Sequence, residues 1–190
     1  MKSKILLPLA LSIASASAVA NEFGGSRFGV GYAWTGVDYD TSSTWYDGDT
    51  GNGLALTYGY DFNRVVGMNL NYYQNEGSVD KSEFSGSTFS MDLDIGWAFN
   101  LGHWSLKPYG AIGFGSHNQD IKEFTGTSCS LGVCNDHFKE SSVDGSGLSI
   151  GLGIRAQMNN GIFFELRDDA LFVDSYSLAG RTSLIAGYKF

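Results

Sequence analysis

Apolar residues alternate with small or polar residues along most of the chain from residue 28 onward. Between residues 89 and 99, the odd-numbered positions are Phe, Met, Leu, Ile, Trp and Phe, whereas the even-numbered positions are Ser, Asp, Asp, Gly and Ala. Successive side chains of a β-strand point to opposite faces, so this period of two predicts a strand with one apolar face. Similar segments lie at residues 28–35, 53–62, 66–73, 105–115, 148–158, 162–167 and 181–190. The pattern predicts an all-β fold of eight strands.

The connections between these segments alternate between short and long. Short connections lie at residues 63–64, 100–104 and 159–161, and the remaining connections are long and polar. Short turns at one end and long loops at the other are typical of bacterial outer-membrane barrels. The segments also match the ~9–11 residues that a tilted strand needs to cross a bilayer. We therefore predict an eight-stranded antiparallel transmembrane β-barrel with short periplasmic turns and long extracellular loops.

A soluble β-sandwich or a lipocalin-like barrel is the alternative, because the strands of those folds alternate as well. Their polar faces meet water and are expected to be rich in Lys and Glu. Here the second face consists mostly of Gly, Ala, Ser, Thr and Asn. Small residues of this kind fit the inside of a narrow barrel, so the composition of this face favours the membrane protein.

The N-terminus has the three parts of a secretory signal peptide. Lys2 and Lys4 precede an apolar run at residues 5–13, and a stretch of small residues then ends in Ala-Val-Ala at residues 18–20. The apolar run is much shorter than the ~20 residues of a membrane-spanning helix. We therefore expect residues 1–20 to be removed after export, leaving a single barrel domain at residues 21–190.

The net charge argues against one class of partner. The chain has 190 residues with 12 basic and 20 acidic side chains, and two of the basic ones, Lys2 and Lys4, belong to the predicted signal peptide. The mature chain would therefore carry about −10. Nucleic acids are bound through Lys and Arg contacts to phosphate, so no nucleic-acid partner is expected.

The chain resembles the small eight-stranded outer-membrane barrels, the OmpA transmembrane-domain and OmpX/Ail group, over essentially its whole mature length. It is also similar in size and organisation to the accessory colonisation factor AcfA type. The final residues, Tyr188, Lys189 and Phe190, resemble the C-terminal signal by which the barrel-assembly machinery recognises its clients. The resemblance implies an outer-membrane location among lipopolysaccharide, and a role in adhesion, colonisation or envelope protection through a host or environmental ligand. We expect a monomer.

The inward faces of the predicted strands carry equal numbers of acids and bases. The acids are Asp61, Asp92, Asp94 and Glu165, and the bases are Lys107, Arg155, Arg167 and Arg181. Counting residues from the short turns places five of these side chains at similar depth, where they can form an ion-pair network: Asp94, Lys107, Arg155, Glu165 and Arg167. An eight-stranded barrel is only wide enough for its own side chains, which favours a plugged interior over an ion path.

The predicted long loops are strongly acidic. They carry three bases, Lys81, Lys122 and Lys139, against fifteen acids: Asp38, Asp40, Asp47, Asp49, Glu76, Asp80, Glu83, Asp120, Glu123, Asp136, Glu140, Asp144, Asp168, Asp169 and Asp174. This surface of about −12 should repel heparin-like polyanions. The first-loop acids Asp38, Asp40, Asp47 and Asp49 lack the spacing of a calcium-binding loop, and no metal site or cofactor is predicted. Solubility is the favoured role of the acidic loops, and a site for a divalent cation or a basic partner is the alternative.

The chain contains two cysteines, Cys129 and Cys134, both in the predicted third loop. In the oxidising environment of an exported protein a disulfide between them is the expected outcome. A bridge at this position would stiffen the tip of the loop. Zinc is disfavoured because no second Cys or His pair has metal-binding spacing.

Some small barrels deacylate lipid A, which requires a His, a Ser and an acidic partner. Ser116 and His117, with Asp120 or Glu123 nearby, and His137 beside Asp136 are the possible candidates. Adjacent strand residues point to opposite faces, so Ser116 and His117 cannot pair within a strand. We therefore predict no catalytic residues and a non-enzymatic surface protein. A narrow cation-preferring channel and a lipid A-modifying enzyme remain the two alternatives.

Overall fold

The computed structural model describes residues 23–41, 44–79, 81–130, 133–174 and 177–190, and their side chains except at 37–50, 79, 128–130, 133, 174 and 177–178. The predicted signal peptide and the side chains of the first loop's acids therefore lie outside the described residues. No helix among the described residues is long and apolar enough to cross a membrane. The strands described are β1 (Gly25–Thr41), β2 (Thr44–Asp61), β3 (Val66–Val79), β4 (Ser82–Gly96), β5 (Phe99–Asn100), β6 (Trp104–Ser130), β7 (Val133–Met158), β8 (Ile162–Asp174) and β9 (Ser177–Lys189).

The strands form one closed antiparallel sheet. Each long strand pairs with its neighbours along the chain, β4 pairs with β6, and β1 pairs with β9. The two-residue strand β5 pairs only with the beginning of β6. Eight long strands therefore make the barrel wall, and the predicted eight-stranded antiparallel barrel is confirmed.

The two faces of the wall have opposite polarity. On β1, Arg27 and Thr35 point inward and are 0% and 2% exposed, whereas Phe28 and Trp34 point outward and are 50% and 45% exposed. The same alternation continues around the barrel, so the interior is polar and the outer surface is apolar. This arrangement is the reverse of a soluble protein and matches a wall surrounded by lipid.

The first and last strands are joined up to the final residue. The amide of Phe190 donates to the carbonyl of Ser26 at 2.8 Å, and the amide of Ser26 donates to the carbonyl of Phe190 at 3.1 Å. Register pairing continues from Arg27 opposite Lys189 to Tyr39 opposite Ser177. The C-terminus, which would fray if it were free, therefore closes the sheet.

The short connections have the local chemistry of tight turns. The side-chain oxygen of Asn63 accepts hydrogen bonds from the amides of Val65 and Val66 at 2.8 and 2.9 Å. Gly161 adopts a φ of +91°, which L side chains rarely adopt, and its amide donates to the carbonyl of Met158 at 2.9 Å. These turns define one end of the barrel, which we take as the periplasmic end.

The regions that the sequence predicts as long loops consist largely of strand. β6 and β7 remain paired from Trp104 opposite Met158 to Ser130 opposite Val133. The apolar alternation ends earlier because side chains beyond the membrane meet water on both faces, while backbone hydrogen bonds still hold the strand pair. β8 likewise continues beyond Arg167, so the prediction that Asp168 and Asp169 lie in a loop is wrong.

Candidate functional site

The periplasmic half of the interior is organised around two carboxylates, Asp61 and Asp94. Arg27 donates to both, at 2.5 Å to Asp61 and 2.9 Å to Asp94. Arg155 lies 3.4 Å from each of them. Lys107 forms a close ion pair with Asp94 and lies 3.8 Å from Asp61. Three strands, β1, β6 and β7, thus supply the cations for acids on β2 and β4.

Two further side chains complete this cluster. Glu165 of β8 accepts a hydrogen bond from Nε of Arg155. Lys189, the last residue of β9, lies 3.0 Å from Asp61 and also donates to the carbonyl of Phe23 at 2.8 Å. Seven of the eight long strands, all except β3, therefore contribute to one group of charges near the periplasmic end.

A second cluster lies nearer the extracellular end and is centred on Arg167. Its guanidinium lies 2.6 Å from Asp92 and donates through Nε to both oxygens of Asp169 at 2.7 and 2.8 Å. The Tyr73 hydroxyl donates to Asp169 at 3.3 Å. The guanidinium of Arg181 lies over the Tyr73 ring at 3.8 Å from its centroid. Arg181 is therefore held by a cation–π contact.

Amide side chains connect the two clusters. Asn69 accepts a hydrogen bond from Arg27 and donates to Asp92 at 2.7 Å. Asn71 donates to the other oxygen of Asp92 at 2.8 Å and accepts from Thr57 at the same distance. The barrel interior is thus one continuous polar network, in which a change at one charge alters its neighbours.

All eight side chains predicted for the interior are buried, but they do not form a single group. Arg167 pairs with Asp92 and Asp169 in the second cluster, not with the acids of the first. Sequence analysis missed Arg27 and Asp169, which are also buried. Arg27 lies two residues before Gly29, and Asp169 lies two residues after Arg167. Each therefore extends the inward-facing positions of a predicted strand by one, and this pattern could have identified both residues. When these two residues are included, the buried charged side chains among the described residues are five acids and five bases.

The candidate catalytic residues are not brought together. Ser116 is exposed on the outer face, whereas His117 is buried inside, with Nδ1 at 2.8 Å from the hydroxyl of Thr88. Near the tip of the β6–β7 hairpin, Asp136 accepts a hydrogen bond from Thr127 and lies 3.2 Å from Lys81. These two contacts, with the Thr127 hydroxyl as the larger cause, lower the pKa of Asp136 below its usual range.

The β6–β7 hairpin extends beyond the pairing of its neighbouring strands. We call residues 123–130 and 133–147 the outer ribbon. β4 pairs with β6 only as far as Lys122, and β8 pairs with β7 only from Leu148 onward. Within the described residues, no strand pairs with the ribbon at either edge, but its base still contacts both neighbours: the Phe124 amide donates to the Ser82 hydroxyl of β4 at 3.1 Å, and Val173 of β8 lies against Gly145. The rings of Phe124 and Phe138 pack edge to face across the ribbon, with their centroids 5.8 Å apart.

An acidic groove of about 570 Å³ lies at the base of the outer ribbon. Glu83, Asp120 and Glu140 line it, together with Lys122, whose Nζ lies 3.3 Å from Glu83. One lysine among three carboxylates leaves the groove negatively charged. Without Asp168 and Asp169, the predicted loops contain thirteen acids and three bases, which is a formal charge of about −10 by sequence.

The backbone register places Cys129 opposite Cys134 across β6 and β7. This arrangement is compatible with the predicted disulfide, which stays a prediction because the Cys129 side chain is not among those described. The described residues contain no group of three or more His, Cys, Asp or Glu side chains positioned to hold a metal ion.

Comparison with known proteins agrees with this geometry. Solved structures with the same fold include Ail from Yersinia pestis in complex with the heparin analogue sucrose octasulfate, at 22% identity and a TM-score of 0.58 over 88% of this chain and 99% of Ail. The N-terminal barrel of OprF from Pseudomonas aeruginosa gives 17% identity and a TM-score of 0.54 over 88% and 99% of the two chains. No curated protein matches the sequence.

The family described as "Outer membrane protein beta-barrel domain" matches residues 5–171, which is most of the chain. This match agrees with the closed sheet, the apolar outer wall and the polar interior. The sequence-based predictions of fold and outer-membrane location are therefore confirmed. The chain belongs to the outer-membrane β-barrel family.

Proposed function

We propose that the protein is a non-enzymatic surface-interaction barrel whose outer ribbon binds a partner outside the cell, in adhesion, colonisation or envelope protection. The observation that carries this proposal is that, among the described residues, only β6 and β7 themselves pair along the outer part of the ribbon, at residues 125–130 and 133–144. A free strand edge presents backbone donors and acceptors to which an extended polypeptide can add as a further strand.

The charge of the ribbon indicates which partners fit. The ribbon carries one base, Lys139, and four acids: Glu123, Asp136, Glu140 and Asp144. Together with the acidic groove at its base, this favours a polypeptide with basic side chains, since complementary charge increases both the rate and the specificity of binding. Ail has been crystallised with a polyanion, but the acidic surface of this chain opposes that class of ligand.

Two features support a role without catalysis or conduction. Ser116 and His117 lie on opposite sides of the wall, so they cannot act on one substrate together. The ion pairs of the two interior clusters occupy the space that an ion path would need. Lipid A from cells with and without the protein should therefore give the same mass spectrum.

Binding by whole cells tests the proposal. One strain carries the intact protein, and a second carries a variant in which residues 123–139 are replaced by Asn-Gly, joining Lys122 to its register partner Glu140. A matched variant is shortened in β1–β2, with residues 38–47 replaced in the same way. We expect the ribbon variant to lose most binding to epithelial cells and matrix-coated surfaces, and the β1–β2 variant to retain it.

All three proteins must first show the faster SDS-gel migration of an unheated barrel, so that loss of binding is not loss of folding. Purified protein should also pass through heparin-agarose without retention at physiological salt. Equal binding by all three strains would contradict the adhesive role, and retention on heparin would contradict the proposed charge preference.

A further inference from the structure

Arg181 on β9 differs from the other buried arginines of the barrel. A carboxylate forms an ion pair with each of Arg27, Arg155 and Arg167. Arg181 is 2% exposed, yet none of its three guanidinium nitrogens has a hydrogen-bond partner among the described residues. Its guanidinium lies over the Tyr73 ring, 3.8 Å from the centroid. The face of a ring attracts a cation, but it cannot satisfy the five N–H donors of an arginine.

The acids of the second cluster direct their described contacts to other side chains. Asp169 is the register partner of Arg181 across β8 and β9. Both of its carboxylate oxygens accept from Nε of Arg167, and one also accepts from the Tyr73 hydroxyl. Asp92 is bound by Arg167 as well. Within the described residues the cluster therefore gives Arg181 no acceptor, although a buried donor without an acceptor is costly and rare.

Two further buried groups in this part of the interior lack partners. Ser183 lies two residues from Arg181 on the same face of β9, and its Oγ forms no hydrogen bond with any described residue. His117 on β6 contacts Thr88 through Nδ1, while its Nε2 has no partner in the described part of the chain. Thr88 is in register with Tyr73, on whose ring Arg181 lies, and His117 is within the electrostatic influence of Arg181. All three unpartnered groups can donate hydrogen bonds, and an arginine can only donate.

Apolar side chains cover the extracellular side of Arg181. Leu171 and Ala179 are register partners on β8 and β9, each one inward position beyond Asp169 and Arg181. They are 0% and 1% exposed, and Val173 packs against them. The guanidinium is thus separated from the extracellular solution. In surroundings of this kind a charged group interacts more strongly with a bound ion than it would in water.

We propose that Arg181, with the Ser183 hydroxyl and the His117 ring, binds a small monovalent anion of the halide class, such as chloride, inside the barrel. An anion only accepts hydrogen bonds, which is what unpartnered donors require. A water molecule also accepts, but its own hydrogens need acceptors, and the carboxylates of the cluster are already engaged.

The charge and size of the site favour the same ligand. Five acids and five bases are buried in the barrel, and Lys189, paired with Asp61, adds a sixth base. One monovalent anion balances this excess. The closed surroundings of Arg181 suit a single atom better than a larger oxyanion. This site lies inside the barrel wall and is independent of the proposed adhesive role.

Anomalous scattering from bromide tests the site directly. The mature protein is refolded from urea into non-ionic detergent with bromide as the only halide, so that the ion can enter before the barrel closes. Crystals of this protein are then measured at the bromine absorption edge. We expect an anomalous peak within hydrogen-bonding distance of the Arg181 guanidinium. Density at that position without an anomalous signal would identify water and overturn the proposal.

The dependence of stability on chloride tests the site in solution. Urea unfolding in neutral lipid vesicles is measured in chloride and in gluconate, which is too large for the site, at equal ionic strength. A ligand that binds only the folded state stabilises it, so a tenfold rise in chloride should lower the unfolding constant by up to tenfold. Arg181→Met should abolish this dependence, and Arg181→Lys, which keeps the charge, should retain part of it. Arg64→Met is the matched control, because Arg64 also lies over aromatic rings, and it should keep the full dependence.

The outcomes separate a bound anion from a general effect of salt. Each variant is first checked for the gel shift of a folded barrel, and Ser183→Ala replaces Arg181→Met if the latter does not fold. Ser183→Ala removes one donor and should weaken the chloride dependence several-fold. Equal stability of the unmodified protein in chloride and gluconate would overturn the proposal. So would a chloride dependence that is unchanged in Arg181→Met, or in Ser183→Ala where that variant replaces it.

Discussion

The guanidinium of Arg27 on β1 donates to the carboxylate of Asp94 on β4 at 2.9 Å, across the interior of the barrel. Two strands separate β1 from β4 in the sheet, so this contact ties distant parts of the wall together. Arg27 also contacts Asp61 and Asn69. It is therefore the residue through which the first strand is held to the periplasmic cluster.

Replacing Arg27 with Met should destabilise the folded barrel by about 2–3 kcal/mol, because Asp61 and Asp94 each lose a buried charge-assisted hydrogen bond while Arg155 and Lys107 still contact both carboxylates. Urea unfolding of the protein in lipid vesicles, followed by tryptophan fluorescence, measures the change. Arg64→Met is the matched control, because Arg64 contacts the rings of Phe23 and Trp97 and forms no ion pair in the described residues. Similar losses for both variants would show that the ion pairs contribute little.

The filled interior predicts that the intact protein gives no steady unitary conductance in planar bilayers. Arg155 and Arg167 are large cations that extend across the lumen, one in each cluster. Replacing both with Ala should open space and produce measurable current in the fraction of protein that remains folded. Steady conductance steps by the unmodified protein would favour the channel alternative.

Most of the barrel wall was predictable from sequence, because lipid imposes an apolar residue at every second position. The pairing of side chains inside the barrel was harder to predict from sequence. Counting residues from the turns puts Arg167 at a depth similar to that of Asp94, but Arg167 lies two residues farther from the periplasmic end of β8 than Glu165. Asp92 is displaced from Asp94 in the same direction on β4, so Arg167 pairs with Asp92 instead. Asp169 was missed because its outward neighbour is Asp168, which interrupts the apolar pattern.

The sequence predicts a loop where the outer ribbon lies, for a different reason. Both of its faces meet water, so no hydrophobic period indicates a strand there. The pairing of β6 with β7 depends on backbone hydrogen bonds and on contacts such as that of Phe124 with Phe138. Such contacts connect residues far apart in the chain, and their pairing is not visible in a local pattern.

The contacts of Asp136 predict how its titration responds to mutation. Thr127→Val and Lys81→Met should each raise the pKa of Asp136 toward its ordinary value, the first by the larger amount. Carbon-13 NMR of the side-chain carboxyl group measures this directly. Lys139→Met is the matched control, since it removes a lysine from the same ribbon without a described contact to Asp136.

The lowered pKa of Asp136 determines how the order of the ribbon depends on pH. The contribution of the Asp136 contacts to ribbon order is complete above the pH at which the unfolded group titrates, and it is lost as the pH falls through the lowered folded value. Acidification should therefore release the Lys81 contact in the unmodified protein. A pKa that does not change in the Thr127 and Lys81 variants would contradict this account.

Deletion of Phe190 should impair insertion in cells more than it lowers the stability of the folded barrel. The deletion removes two backbone hydrogen bonds to Ser26 at the rim, whereas the β1–β9 pairing from Arg27 to Tyr39 remains. Two rim hydrogen bonds contribute about 1–3 kcal/mol, which leaves a barrel that can still fold. The resemblance of the Tyr188–Phe190 ending to an assembly signal predicts a larger defect in recognition by the assembly machinery.

Two measurements separate these effects. Heat-modifiable protein in isolated outer membranes reports insertion, and urea unfolding of protein refolded into vesicles reports stability. Phe190→Ala retains the backbone hydrogen bonds and loses only the ring, so it should show the insertion defect with almost no loss of stability. If Phe190→Ala inserts as well as the unmodified protein, the ring is not part of an assembly signal. If the deletion lowers insertion only in proportion to stability, the contribution of Phe190 to closure of the sheet accounts for its effect and no assembly signal is needed.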